Sequence, residues 1–160
     1  MRTPTFLVMC ALILTAATPA WAGSIQLRTV VEKEIETVDE NGETRVHRVP
    51  ADQVIPGDEV IYTIRFQNIG TEPAGDVRIT DPIPVQMIYK IGSASGPDAD
   101  VLFSVDGGKT LAPADRLTVL DDGGNPRPPV PEEFTHVQWV LKTPVVPGGS
   151  GEVSFRAQLK

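Results

Sequence analysis

Apolar and polar residues alternate with a period of two along residues 54 to 70, VIPGDEVIYTIRFQNIG, and the same pattern recurs to the carboxyl terminus. Val60, Tyr62, Ile64 and Phe66 fall on one side, and Ile61, Thr63, Arg65 and Gln67 on the other. That is the signature of a half-buried strand, in which successive side chains point to opposite faces. Pro56-Gly57-Asp58 opens the strand with turn chemistry, since proline presets φ near about −65° and glycine accepts positive φ. Asn68-Ile69-Gly70 closes it.

Upstream, Ile25, Leu27, Thr29 and Val31 begin a strand over 25 to 38, and Glu32-Lys33-Glu34 then crowds charge into its middle. Charge placed this way predicts an edge strand protected against pairing with other chains. Asn41-Gly42 is a strong hairpin signal, with Arg45 to Val49 as the returning partner. The amino-terminal hairpin occupies 23 to 53 and packs on a main domain at 54 to 160.

Downstream, Asp76 to Thr80 predicts a strand that Pro82 and Pro84 break, because prolines cannot donate to a ladder; the chain must leave one sheet there or run along an edge. Strands follow at Met87 to Tyr89 and at Val101 to Val105, the latter turning at Asp106-Gly107-Gly108-Lys109. Leu117 to Leu120 predicts a short strand, and Pro126 to Pro131 a stiff, extended connection. Thr135, Val137, Trp139 and Leu141 alternate, as do Val153, Phe155, Ala157 and Leu159 after the Pro147-Gly148-Gly149 turn. No apolar pattern of helical period is sustained, so about eight to ten antiparallel strands in an all-β sandwich are expected. Its core should set Tyr62, Ile64 and Phe66 on one sheet against Val137, Trp139 and Leu141, with Trp139 the largest buried side chain.

The first 22 residues read as a cleaved leader: Arg2 supplies a positive start, Phe6 to Ala17 an apolar run, and Ala20-Trp21-Ala22 a cleavage site before Gly23. The expected location is therefore periplasmic or secreted, with no stable membrane insertion after cleavage. Cys10, the only cysteine, leaves with the leader, so the remaining chain of about 138 residues relies on its core without a disulfide. Removing Arg2 leaves 13 basic residues against 21 acidic ones, a balance of −8. Such a chain repels nucleic acid and anionic lipid.

Pro56-Gly57-Asp58, Tyr62-Thr63-Ile64, Asn68-Ile69-Gly70, Asp81-Pro82-Ile83-Pro84 and Pro147-Gly148 occur in an order that resembles the bacterial conserved repeat domain, the immunoglobulin-like "domain of unknown function eleven". The likeness runs from 54 to 160 and covers one copy. It implies an immunoglobulin-like extracytoplasmic sandwich used for spacing, adhesion or assembly, with no family-wide catalytic residues or cofactors.

Candidate chemistry is sparse. Catalytic or metal-binding histidines are confined to His47 and His136, without ligand spacing, and alternation turns His136 toward solvent. Acid pairs at Asp98 and Asp100, Asp121 and Asp122, and Glu132 and Glu133 read as solvated loop acids, with loop calcium sites the sharper alternative. Of the aromatics beyond the leader, Tyr89 and Phe134 lie near loops and are the candidates for stacking on glycan. The expectation is a non-enzymatic interaction or structural module that binds an envelope or extracellular protein through loops or a sheet edge. A glycan- or calcium-binding accessory domain is the alternative, and a hydrolase a third reading.

Overall fold

The alternating segments resolve into ten strands in the computed structural model, which describes residues 24–160. The leader, its cleavage site and Cys10 lie outside the described residues. The strands are β1 (Ile25–Val38), β2 (Thr44–Pro50), β3 (Glu59–Asn68), β4 (Arg78–Pro82), β5 (Met87–Tyr89), β6 (Ala99–Ser104), β7 (Val119–Leu120), β8 (Pro126–Arg127), β9 (His136–Leu141) and β10 (Ser150–Leu159). Two short 3-10 turns, Ala114–Arg116 and Pro131–Glu133, complete the regular structure.

A five-stranded antiparallel sheet in the order β2-β1-β3-β10-β5 packs on a three-stranded sheet β4-β9-β6, and β7 and β8 form a small ribbon. The all-β sandwich is the architecture that the alternation predicts. Pro82 ends β4, after which the chain crosses to the larger sheet as β5, so the proline-rich break does mark a change of sheet. Pro126 and Arg127, expected in an extended connection, instead pair with Leu120 and Val119.

β1 is not the edge strand that its charges suggest. Val31 C=O accepts from the Ala51 N–H at 3.0 Å on the β2 side, and Ser24 C=O accepts from the Ile69 N–H at 2.9 Å on the β3 side. Backbone groups of odd and even residues leave an unbulged strand in opposite directions, so β2 and β3 flank β1 on opposite sides. Glu32 pairs with both neighbours, whereas Lys33 and Glu34 pair with β2 alone, and the charges of Lys33 and Glu34 have partners. Lys33 Nζ donates to Gln53 O at 2.7 Å and sits 3.4 Å from Asp58, while Glu34 receives Arg156.

Because β2 and β3 lie on opposite sides of β1, residues 51 to 58 must cross its inner face, and Pro56-Gly57-Asp58 shapes that crossing. Gly57 adopts φ 95°, and the Asp58 carboxylate accepts from the Ile55 N–H at 3.2 Å while facing Lys33.

The core forms where the expected inner faces meet. Ile64 and Phe66 on β3, Val153 and Phe155 on β10, and Val137, Trp139 and Leu141 on β9 are all buried, Trp139 completely. Tyr62 is half-buried and stacks on Phe155 with centroids 4.8 Å apart. The Phe66 ring covers Gly151 on the neighbouring strand: a Cβ there would lie 2.5 Å from the ring, so any larger residue would have to displace it. Ile61 and Thr63, on the opposite face of β3, are also buried. To reach Glu34 on β1 from β10, the Arg156 side chain has to cross β3, and Arg156 is the register neighbour of Ile61.

Candidate interaction surface

The residues singled out for chemistry are dispersed and locally engaged. His47 stands opposite Ile35 on the exposed β1–β2 ribbon, whereas His136 is on the smaller sheet, opposite Pro82 and Ser104. No hydrogen bond joins the two histidines. His136 is half-buried rather than turned fully to solvent: its Nδ1 is 3.2 Å from Thr135 Oγ1, and its ring lies against Gly108.

Asp98 and Asp100 both face Lys142, at 3.5 and 3.0 Å. Asp121 accepts from the Gly123 and Asn125 N–H groups at 2.9 and 2.8 Å, closing its own loop. Glu133 forms a two-pronged pair with Arg127 at 2.8 and 2.7 Å, and these hydrogen bonds hold its carboxyl down at about 2. Among the described residues, no group of three or more His, Cys, Asp or Glu is arranged to hold a metal ion.

Tyr89 and Phe134 are not surface platforms. They are 2 % and 5 % exposed, and with Phe103 they form an aromatic cluster whose centroids lie 5.2 to 5.7 Å apart. Edge-to-face packing of this kind stabilises a core and leaves no ring face for a sugar. The Tyr89 hydroxyl is taken up as well, by the Ala94 N–H at 3.2 Å.

The outer face of the larger sheet carries an ion-pair network that alternation does not reveal. Arg156 donates to Glu34 at 3.0 and 2.9 Å and to Glu59 at 2.8 Å. Arg48 reaches Glu34 at 3.4 Å, and Lys90 pairs with Glu59. The hydrogen bonds from Arg156 hold the Glu34 carboxyl below its ordinary range. Burial pushes Glu59 up, but the hydrogen bonds from Lys90 and Arg156 together outweigh it. The network ties β2, β1, β3 and β10 to the segment after β5 and so clamps the larger sheet across its strands.

What remains open is the side of the sandwich at β1. Burial raises the Tyr62 hydroxyl on β3 and the nearby Asp81 carboxyl on β4 adds to it, Trp139 on β9 faces Phe155 on β10, and Tyr89 on β5 meets Phe103 on β6, so the smaller sheet faces β3, β10 and β5. β1 and β2 extend past it. Leu27, Val31 and Ile35, all on the inner face, are consequently 49 %, 36 % and 37 % exposed. β2 pairs only with residues 32 to 38 of β1, and among the described residues no strand covers the edge from 25 to 29. Outer side chains beside this edge form an open depression lined by Gln26, Arg28, Arg65, Gln67, Ser150 and Glu152.

Asp81 sits on the same face as Ile79, opposite Val137, with no hydrogen-bond donor among the described residues. Burial raises its pKa, and the nearby His136 only partly opposes the shift. A raised folded-state value means that its contribution to stability is complete below the unfolded value of about 3.9 and is lost as pH rises through the folded one. Asp81→Asn is therefore expected to raise the urea midpoint at pH 7 and to leave it unchanged near pH 3. A lowered midpoint at pH 7 would mean that the carboxylate has a favourable partner.

Among the described residues, no helix is long and apolar enough to cross a membrane. Comparison of the chain with protein-family models, with curated proteins and with solved structures gives no match.

Proposed function

We propose that the chain is a non-enzymatic, exported module of the bacterial envelope or extracellular space that binds a protein partner through a sheet edge or loops. The observation that carries this reading is the uncovered edge of β1, with apolar side chains exposed on its inner face. Long edges with an apolar face invite another strand, and proteins that have no use for them blunt or cover them. Asp98, Asp100, Asp121, Glu133 and Tyr89 serve turns, ion pairs and the core, which favours binding over catalysis. The likeness to a single conserved repeat domain points the same way: Asp58 and Asn68, in two of its motifs, are spent on shaping and joining loops.

The test is export followed by capture. Protein recovered outside the cytoplasm should begin at Gly23 by intact mass; a retained Met1 or a lipidated Cys10 would sink the exported reading. Photo-crosslinkers placed at Leu27, at the exposed loop residue Ile91 and at the exposed Leu120 of β7 should then trap an envelope protein from at least one of these positions. Absence of any adduct at all of them would defeat the module reading.

A further inference from the structure

The β1 edge specifies the chemistry of what would cover it. Val31 turns its carbonyl toward β2, so Ile25, Leu27 and Thr29, at the same parity, turn their backbone N–H and C=O groups toward the open edge. β2 ends at Pro50, which limits the opening to the five residues 25 to 29. An incoming strand would meet Leu27 on the inner face and Gln26 and Arg28 on the outer face.

Arg28 stands directly across from Arg65 in the β1–β3 register. Arg65 has Glu152 at 3.5 Å, and among the described residues Arg28 has no acid within ion-pair distance. Like charges directly opposite on neighbouring strands repel, and the one carboxylate in this row is engaged by Arg65. A second acid delivered beside Arg28 would remove that imbalance.

β4, the nearest edge of the smaller sheet, ends in Pro82, which has no N–H to offer, and it carries Arg78 at its start. The β1 opening contains no proline. Resting on the module reading above, we infer that residues 25 to 29 accept an extended strand of a partner protein in which apolar residues alternate with an acidic one. The apolar residues lie on the Leu27 side, and the acid lies beside Arg28.

A second copy of this chain suits the edge poorly. Antiparallel self-pairings that keep the apolar residues on one face set Arg28 opposite Ser24, Gln26 or Arg28 of the second copy, never opposite an acid. A β1–β1 pairing is thereby disfavoured; in an occupant from a different chain, main-chain hydrogen bonds supply affinity and the residue beside Arg28 supplies selectivity.

The experiment uses two capped peptides, Val-Thr-Val-Glu-Val-Thr-Val and the same sequence with Lys for Glu, each N-methylated along one edge to prevent self-association. Added to the 15N-labelled protein at low salt, the Glu peptide should shift and protect the amides of Ile25, Leu27 and Thr29. It should bind about fivefold tighter than the Lys peptide, the size of one exposed charge pair. Arg28→Glu should reverse that order. Thr29→Pro, which removes only an outward N–H, should abolish binding of both peptides while unfolding remains cooperative. Shifts confined to other residues, peptide preference unchanged by Arg28→Glu, or a doubling of mass that protects the same amides without peptide would each overturn the inference. The crosslinking experiment separates the two levels: adducts at Ile91 or Leu120 but not at Leu27 overturn the edge and leave the module, whereas adducts at none of the three overturn both.

Discussion

Trp139→Ala is expected to lower the stability of the protein by about 3–5 kcal/mol, through lost transfer energy and the cavity left where the indole was. Trp139 is completely buried at the centre of the smaller sheet, between Ile79 on β4 and Val101 on β6 in register. It faces Phe155 of the larger sheet at a centroid distance of 6.3 Å, so both layers lose contacts when it is removed. Trp139→Phe is expected to cost much less, about 1–2 kcal/mol, for a specific reason. Among the described residues the buried indole N–H has no hydrogen-bond partner, and a benzene ring removes that unsatisfied donor while filling most of the space. Denaturant melts of both variants decide the matter. If the alanine variant lost under about 1 kcal/mol, or if His136→Ala proved the more damaging, the packing of β9 against the larger sheet would be wrong.

Strands at the centre of each sheet are legible because burial writes a period of two into them. β3, β9 and β10 each bury one continuous face, and the alternations through Ile64, Trp139 and Phe155 identify the residues that meet. The same logic fails where a side chain's environment comes from far along the chain. Glu32-Lys33-Glu34 reads as edge protection, yet the partner of Glu34 is Arg156, 122 residues away, and no local pattern announces it. Tyr89 belongs to a three-residue strand and Phe134 follows a 3-10 turn, so neither sits in a segment long enough to show a period. Their burial is produced by each other and by Phe103. Ile61 is misjudged for a related reason: alternation places it outside, and the long side chain of its register neighbour on β10 reaches over that face. The edge at 25 to 29 is half legible. Its apolar alternation is plain in the sequence, but its openness depends on where β2 stops, which the hairpin turn alone does not determine.

Asn68→Ala is expected to cost roughly 2–4 kcal/mol, because one buried amide makes three hydrogen bonds that join two separate loops. Asn68 has no exposed surface. Its Nδ2 donates to Glu72 O at 2.7 Å and to Val145 O at 2.8 Å, and its Oδ1 accepts from the Gly70 N–H at 2.9 Å. Its backbone pairs with the Pro147-Gly148-Gly149 turn, accepting from the Gly148 N–H and donating to Gly149 O, both at 2.9 Å. Alanine keeps the backbone bonds but strands the Glu72 carbonyl and the Gly70 N–H, each worth about 1–3 kcal/mol if water cannot reach it, while Val145 O keeps the Ala74 N–H at 2.9 Å. Asn68→Asp separates the donor role from the acceptor role. The carboxylate still serves Gly70, but it sets a negative oxygen against the two carbonyls that the amide had satisfied, so at pH 7 it should be at least as damaging as alanine. The repulsion raises the folded-state pKa of the introduced acid, and the variant should therefore regain stability as pH falls through that value, when the protonated acid can donate to one carbonyl. Denaturant midpoints of wild type and both variants at pH 7 and pH 4 measure this. An aspartate variant that matches the wild type at pH 7 would show that Asn68 is not the clamp between the 69–75 and 143–149 loops, and that this end of the sandwich is held by its backbone pairing alone.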